Sequence, residues 1–158
     1  MRRLAGPWHV AMVALLAAAA VFHLYYVGID GTMPERLLNS AHLAFLLPAA
    51  FLLYPATARS PKTRPSVLDG VLIALTLIVT LYVAINQPDL DQRIESVTPV
   101  TETQVVLGTL ALLILLEGTR RVIGLGMAIV LTIAMLYLIC GSQLPGQAPS
   151  GSDSGNNP

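Results

Sequence analysis

The chain has little charge, a single lysine and a single cysteine. Of its 158 residues only 11% are Asp, Glu, Lys or Arg, less than half of the roughly 25% usual in a soluble domain. That shortage argues against a water-soluble globular fold. Nine basic residues are cancelled by nine acidic ones, so no basic field is available to hold nucleic acid. Cys140 has no second cysteine to pair with, which excludes an internal disulfide and a cysteine-based metal cluster. Its apolar surroundings make it a small buried hydrophobe. There is no phosphate-cradling Gly-rich loop, no HExxH pair and no nucleophile motif. No carboxylate stands at the middle of an apolar run. No enzyme activity, metal or cofactor is expected.

What the chain has is apolar length: 54% hydrophobic residues and a mean hydropathy of +0.69. About 20 apolar residues cross a bilayer, with about 17 as a lower limit. Five segments meet or approach that need, at about 8–28, 33–56, 67–86, 102–118 and 122–140. The second is interrupted by Pro48 and Pro55. The spacings Thr32/Glu35, Ser66/Asp69 and Thr101/Gln104 each match a capping box, in which two side chains satisfy free backbone N–H groups at a helix start. The first run is too long for the core of a cleaved signal peptide and reads as a retained span. The expected fold is therefore all-α: a polytopic transmembrane helix bundle over residues 1–141, with a flexible polar tail over 142–158 rich in Gly, Pro, Ser and Asn. The length suits one domain, and no internal repeat is present.

Charge placement orients the bundle. If all five segments cross, Arg2, Arg3, Arg59, Lys62, Arg64, Arg120 and Arg121 share one side. Asp30, Glu35, Asp89, Asp91, Glu95, Glu102 and Asp153 share the other, with only Arg36 and Arg93 as counterweights. Basic loops stay in the cytoplasm, so the amino terminus is expected inside and the carboxyl terminus outside.

Few polar side chains fall within the spans. His23 and His42 lie at similar depth toward the outer side; they read as interfacial side chains bonding to neighbours, with a haem-ligating pair as the sharper alternative. Tyr25 reads as an aromatic anchor and Asn86 as the outer end of the third span. Glu117 precedes Arg120 by three residues and Arg121 by four, the spacing of helix-surface ion pairs. That set either closes a tight cytoplasmic turn near Gly124 or docks a partner. The outer loop 86–103 is a solvated linker or part of a partner surface. Ala11, Ala14 and Ala18 permit close helix approach, within this chain or to another.

Several phrases occur in a particular order: Phe22-His23-Leu24-Tyr25, Arg36 with Ala41-His42, Leu52-Leu53-Tyr54-Pro55, Tyr82 with Asn86, Glu117 with Arg120-Arg121 and Gly124, and Leu144-Pro145-Gly146. Over residues 8 to 146 the chain resembles the amino-terminal, small-subunit portion of the fused membrane proteins of tripartite ATP-independent periplasmic (TRAP) transporters that work with TAXI-type binding proteins. The resemblance implies four small-subunit helices plus a fifth, linker-like helix, in a bacterial or archaeal cytoplasmic (inner) membrane. It implies two partners, a large elevator-type membrane subunit and a periplasmic TAXI-type solute-binding protein. The large subunit would carry the substrate and sodium sites for a carboxylate-type solute, and the small subunit would brace it. In fused relatives a large domain follows the Leu-Pro-Gly phrase; the polar tail here points to a large subunit on a separate chain, or to a split or truncated form. His23, Tyr25, Arg36, His42, Tyr54, Pro55, Asn86, Glu117, Arg120, Arg121 and Gly124 would have structural or interface roles, with none catalytic. The small subunit of a tricarboxylate-type tripartite transporter and a purely structural membrane protein are the alternatives.

Overall fold

A computed structural model describes residues 2–57, 60–61, 63–92 and 99–140. Among these, all regular structure is helical. Helix α1 (Pro7–Tyr25) runs on into a wider π-helical turn over Tyr26–Asp30, and α2 spans Glu35–Leu53. Then follow α3 (Val67–Ile85), the single-turn α4 (Gln87–Asp91), α5 (Glu102–Val122) and α6 (Leu125–Cys140). Three stretches, Pro7–Asp30, Glu35–Leu53 and Val67–Ile85, are long and apolar enough to cross a bilayer. The protein is thus an all-helical, multi-pass membrane protein. The tail over 142–158 lies outside the described residues, as do Arg59, Lys62, Arg93 and the Leu144-Pro145-Gly146 phrase.

The helix ends follow local chemistry. Ser66 Oγ accepts the Asp69 amide while the Asp69 carboxylate accepts the Ser66 amide, closing a capping box at the start of α3. Thr101 and Gln104 do the same for α5. The box expected at Thr32 does not form. Thr32 donates instead to Asp30 Oδ1 at 2.8 Å, and α2 starts three residues later, after Pro34. The fixed φ of that proline suits a helix entrance without a side-chain cap. At its other end α2 stops at Leu53, short of the expected residue 56, because Pro55 has no amide to continue the ladder. Helix α5 runs four residues beyond the expected Gly118, to Val122. The loop after Asn86, expected as a solvated linker or part of a partner surface, contains the short helix α4. At Gly124 φ is +120°, a conformation L side chains rarely adopt, and the chain turns there from α5 into α6.

Packing is inverted relative to a soluble protein. Helix α2 is central and touches α1, α3 and α5; α3 also packs on α5, and α6 packs on α5. The buried set is rich in small or polar residues, among them Ala19, Ser40, Ala49, Thr76 and Thr80, with Phe51, Leu52, Leu90 and Ile114 as its large apolar members. Large apolar side chains face outward instead, Leu24 at 70% and Leu138 at 76% exposure. Lipid tails are as apolar as leucine, so membrane helices meet through small residues and satisfied hydroxyls. Ser40 Oγ donates to the Thr80 carbonyl at 3.2 Å across the α2–α3 seam, and Thr80 and Thr76 bond back into their own helix at 2.9 and 2.7 Å.

The α2–α5 contact depends on Gly118. A Cβ there would stand 2.8 Å from Leu47 Cδ2 and 4.0 Å from the Phe51 ring. Leu47 can swing away from a single methyl group, but not from a branched side chain. We expect Gly118→Ala to change thermal stability in detergent by under about 1 kcal/mol and Gly118→Leu to lower it by about 1–3 kcal/mol through overpacking.

Candidate functional site: a buried arginine and carboxylate lock

The lock begins with an orphaned helix end. The last carbonyls of a helix lack intrahelical donors. In α2 the Tyr54 amide bonds the Ala50 carbonyl at 2.8 Å. Pro55 cannot supply the next donor, to Phe51. Arg2 replaces it: its Nη1 donates to the Leu52 carbonyl at 3.1 Å and the Phe51 carbonyl at 3.4 Å, and its amide donates to Leu53 at 2.7 Å. Arg121 Nη1, from the end of α5, donates to the Tyr54 carbonyl at 3.3 Å. Both guanidinium groups, positive at the negative end of α2, also suit its dipole.

Two cations at that position need an anion, and Asp69 supplies it. Its Oδ2 accepts Arg2 Nη2 at 2.8 Å, the Ser66 amide at 2.7 Å and Ser66 Oγ at 2.9 Å. Its Oδ1 accepts Arg121 Nη1 at 2.6 Å. All three charged side chains are fully buried. Arg121 also stacks over the Phe51 ring, 5.0 Å from its centroid, a favourable cation–π placement for a desolvated guanidinium. From Arg121 the network reaches the surface. Arg121 Nε donates to Glu117 Oε1 at 2.7 Å, and Arg120 holds both Glu117 oxygens, at 2.7 and 2.8 Å. Arg120 Nη2 adds the Ala56 carbonyl at 3.1 Å. Arg2, Arg120 and Arg121 against Asp69 and Glu117 leave three minus two, a net charge of +1. Four segments are tied: the amino terminus, the end of α2, the start of α3 and the end of α5.

The opposite end is held more lightly. His23 Nδ1 lies 2.7 Å from the Ala19 carbonyl, and His42 Nδ1 lies 3.0 Å from His23 Nε2. Phe22 and Phe45 pack beside the pair. A haem iron would separate two ligating nitrogens across its porphyrin; these rings are in direct hydrogen-bond contact, so the haem alternative does not fit. Among the described residues no group of three metal-ligating side chains converges. Arg36 spans from α2 to α4, bonding the carbonyl of the buried Leu90 at 3.1 Å and pairing in the open with Asp91 at 3.3 Å. Gln87 bonds Asp91, and the Asn86 side chain caps Tyr82 at 2.9 Å. Tyr25 is exposed, its ring edge-on to Tyr26.

Of the residues singled out in the sequence, the lock thus gathers Glu117, Arg120, Arg121, Tyr54 and Pro55, and the opposite end gathers His23 with His42. Tyr25, Arg36 and Asn86 stand apart from that pair, and Gly124 serves the α5–α6 turn. Sequence reasoning missed the two central members. Residue order marks Asp69 only as a helix cap and Arg2 only as a topology signal. The available signal was that a carboxylate inside an otherwise uncharged span requires a cation at its depth.

No family model, characterised protein or solved structure matches this chain.

Removing one partner of a buried ion pair strands the other charge, at about 3–5 kcal/mol. We expect Asp69→Asn to lose that much in denaturant or thermal unfolding, and Asp69→Leu combined with Arg121→Met to lose less than Asp69→Leu alone. Arg36→Ala, at the exposed pair with Asp91, should cost under about 1 kcal/mol.

Proposed function

We propose that the chain is a non-catalytic small membrane subunit of a secondary, sodium-coupled, binding-protein-dependent transporter of the TRAP type, bracing a large elevator-type subunit that moves a carboxylate-type solute. The observation that carries this reading is the use of the buried charges. Asp69, Arg2 and Arg121 hold one another and the orphan carbonyls of α2, which fixes helix spacing. A moving carrier domain needs polar groups free to bind and release an ion; a brace needs them locked.

Helix direction supports the proposed topology. At the lock α1 begins, α2 ends, α3 begins and α5 ends, so the four alternate in direction. With 21 residues, α5 rises about 32 Å, enough to cross a bilayer with Glu102 near one surface and Arg120 and Arg121 near the other. Arg2, Arg3, Arg64, Arg120 and Arg121 gather at the lock side, which the positive-inside rule places in the cytoplasm. Helix α6 then leads outward as the fifth, linker-like segment. The inner membrane of a bacterium or archaeon is the corresponding location.

Co-expression with the membrane and periplasmic proteins encoded beside its gene tests the assignment. We expect a detergent-stable complex with a large polytopic subunit, and sodium-driven solute uptake in liposomes only when large subunit and binding protein are both present. Uptake by this chain alone, or neighbouring genes that encode neither partner, overturns it. A reporter fused at Pro158 should be active outside the cell.

A further inference from the structure

We propose that the lock end of the bundle binds an anionic phospholipid, with Arg3 and Arg64 on its phosphate and Trp8, Val67 and Leu68 beside its acyl chains. The proposal needs only a membrane protein with this fold. It rests neither on the transporter reading nor on which side of the membrane the lock faces.

The charge at this end does not close within the chain. Asp69 and Glu117 are taken up by Arg2, Arg120 and Arg121, which leaves the lock at +1. Arg3 and Arg64 add two to that one, a net +3 among the described residues. Both are exposed, and neither forms an ion pair among the described residues. The other described carboxylates, Asp30, Glu35, Asp89, Asp91 and Glu102, all stand at the opposite end of the helices.

The fold brings these two arginines together. The Arg2 amide bonds the Leu53 carbonyl at 2.7 Å and the Ala5 amide bonds the Thr63 carbonyl at 3.3 Å, which straps the amino-terminal segment to the chain leading into α3. Arg3 lies two residues from Ala5 and Arg64 one residue from Thr63, three Cα steps of about 3.8 Å in all. Arg2 is buried in the lock while Arg3 is exposed, and Pro65 restricts the backbone of Arg64. The pair is therefore carried on an anchored strap, not on a free terminus.

The cations adjoin an apolar step. Helices α1 and α3 both begin here, and their first turns expose Trp8, Val67 and Leu68, with Val67 at 86%. A tryptophan at this level lays its ring on hydrocarbon and offers its N–H to a headgroup oxygen. Water or a simple anion meets the arginines and leaves the apolar step to any lipid. A zwitterionic phospholipid brings its own cation with its phosphate. An anionic phospholipid supplies uncompensated negative charge and acyl chains in one molecule, and the guanidinium fork matches phosphate oxygens. Basic residues beside a membrane-spanning helix attract anionic lipid in this way.

Native mass spectrometry of the full chain in a nonionic detergent, titrated with phosphatidylglycerol or with phosphatidylcholine of the same acyl chains, tests the site. The first phosphatidylglycerol should bind about twentyfold more tightly than phosphatidylcholine, at about fivefold for each arginine. Arg3→Gln and Arg64→Gln should each lower that preference about fivefold, and the double variant should bring the two lipids level. Arg36→Gln, at the opposite end, should leave it unchanged. Free glycerol phosphate, the same phosphate chemistry without acyl chains, should not displace the lipid. On the unaltered chain the preference should also shrink as ammonium acetate is raised, a readout that needs no variant. Equal affinity for the two lipids, a preference that survives in the double variant or is indifferent to salt, or displacement by glycerol phosphate overturns the proposal. Equal lipid affinities leave the transporter reading standing, and a failed co-expression leaves this one.

Discussion

A carboxylate held between two guanidinium groups, with water excluded from all three, is the constraint on which the arrangement of the helices depends. Burying any one of these charges alone would carry a desolvation penalty of several kcal/mol. Together they are tolerable because most of their remaining hydrogen-bonding capacity is used, with Arg2 Nε and Arg121 Nη2 the buried exceptions among the described residues. Asp69 also accepts from Ser66, Arg2 from its side takes two α2 carbonyls, and Arg121 takes another carbonyl, Glu117 and the Phe51 face. The penalty makes the geometry strict. Sliding α3 by one turn, about 5.4 Å, would separate the Asp69 carboxylate from both arginines, and sliding α5 by the same step would take Arg121 away from it, leaving unpaired charge in a low-dielectric interior. Net stabilisation over an apolar replacement is not implied; what the lock supplies is a single register.

Pro55 explains why the lock sits where it does. An ordinary residue there would donate to Phe51 and lengthen α2. With no amide available, the end of α2 is a cluster of bare carbonyls that must be satisfied inside the protein. Arginine suits the task because its planar fork reaches carbonyl and carboxylate at once. The short segment from Arg2 to Gly6 passes under the bundle to deliver one such fork, anchored by Arg2 to Leu53 and by Ala5 to Thr63.

Much of the helical outline was legible from residue order alone. Ser66 with Asp69 and Thr101 with Gln104 marked two helix starts through a mechanism confined to four residues, and so needed no tertiary information. Thr32 with Glu35 has the same spacing and failed because Pro34 already set the entrance and Asp30 captured the threonine hydroxyl. Glu117 with Arg120 and Arg121 was readable as a local set because helix geometry places those residues side by side. Arg2 with Asp69 was not, since 67 positions separate them and only the packing of α2 against α3 brings them together. The His23–His42 contact lay between these cases: equal depth was visible, direct contact was not. Chemistry shared across helices is written in the packing, which no one-dimensional pattern records.

The two ends of the bundle are held by unlike forces, and the difference bears on how a brace would work. At the lock, dry charge pairs are only weakly screened by salt and each depends on the others, so that end opens as a unit or stays shut. At the opposite end Arg36 and Asp91 meet in the open, where an ion pair contributes little and is easily exchanged for water. The neighbouring histidines join α1 to α2 through one ring-to-ring bond. On the reading we propose, a load applied at that end by a moving neighbour would be taken up by rearrangement of α4 and the tip of α1 while helix spacing at the lock stayed fixed, so that an anchored base would keep its register beneath a more compliant rim.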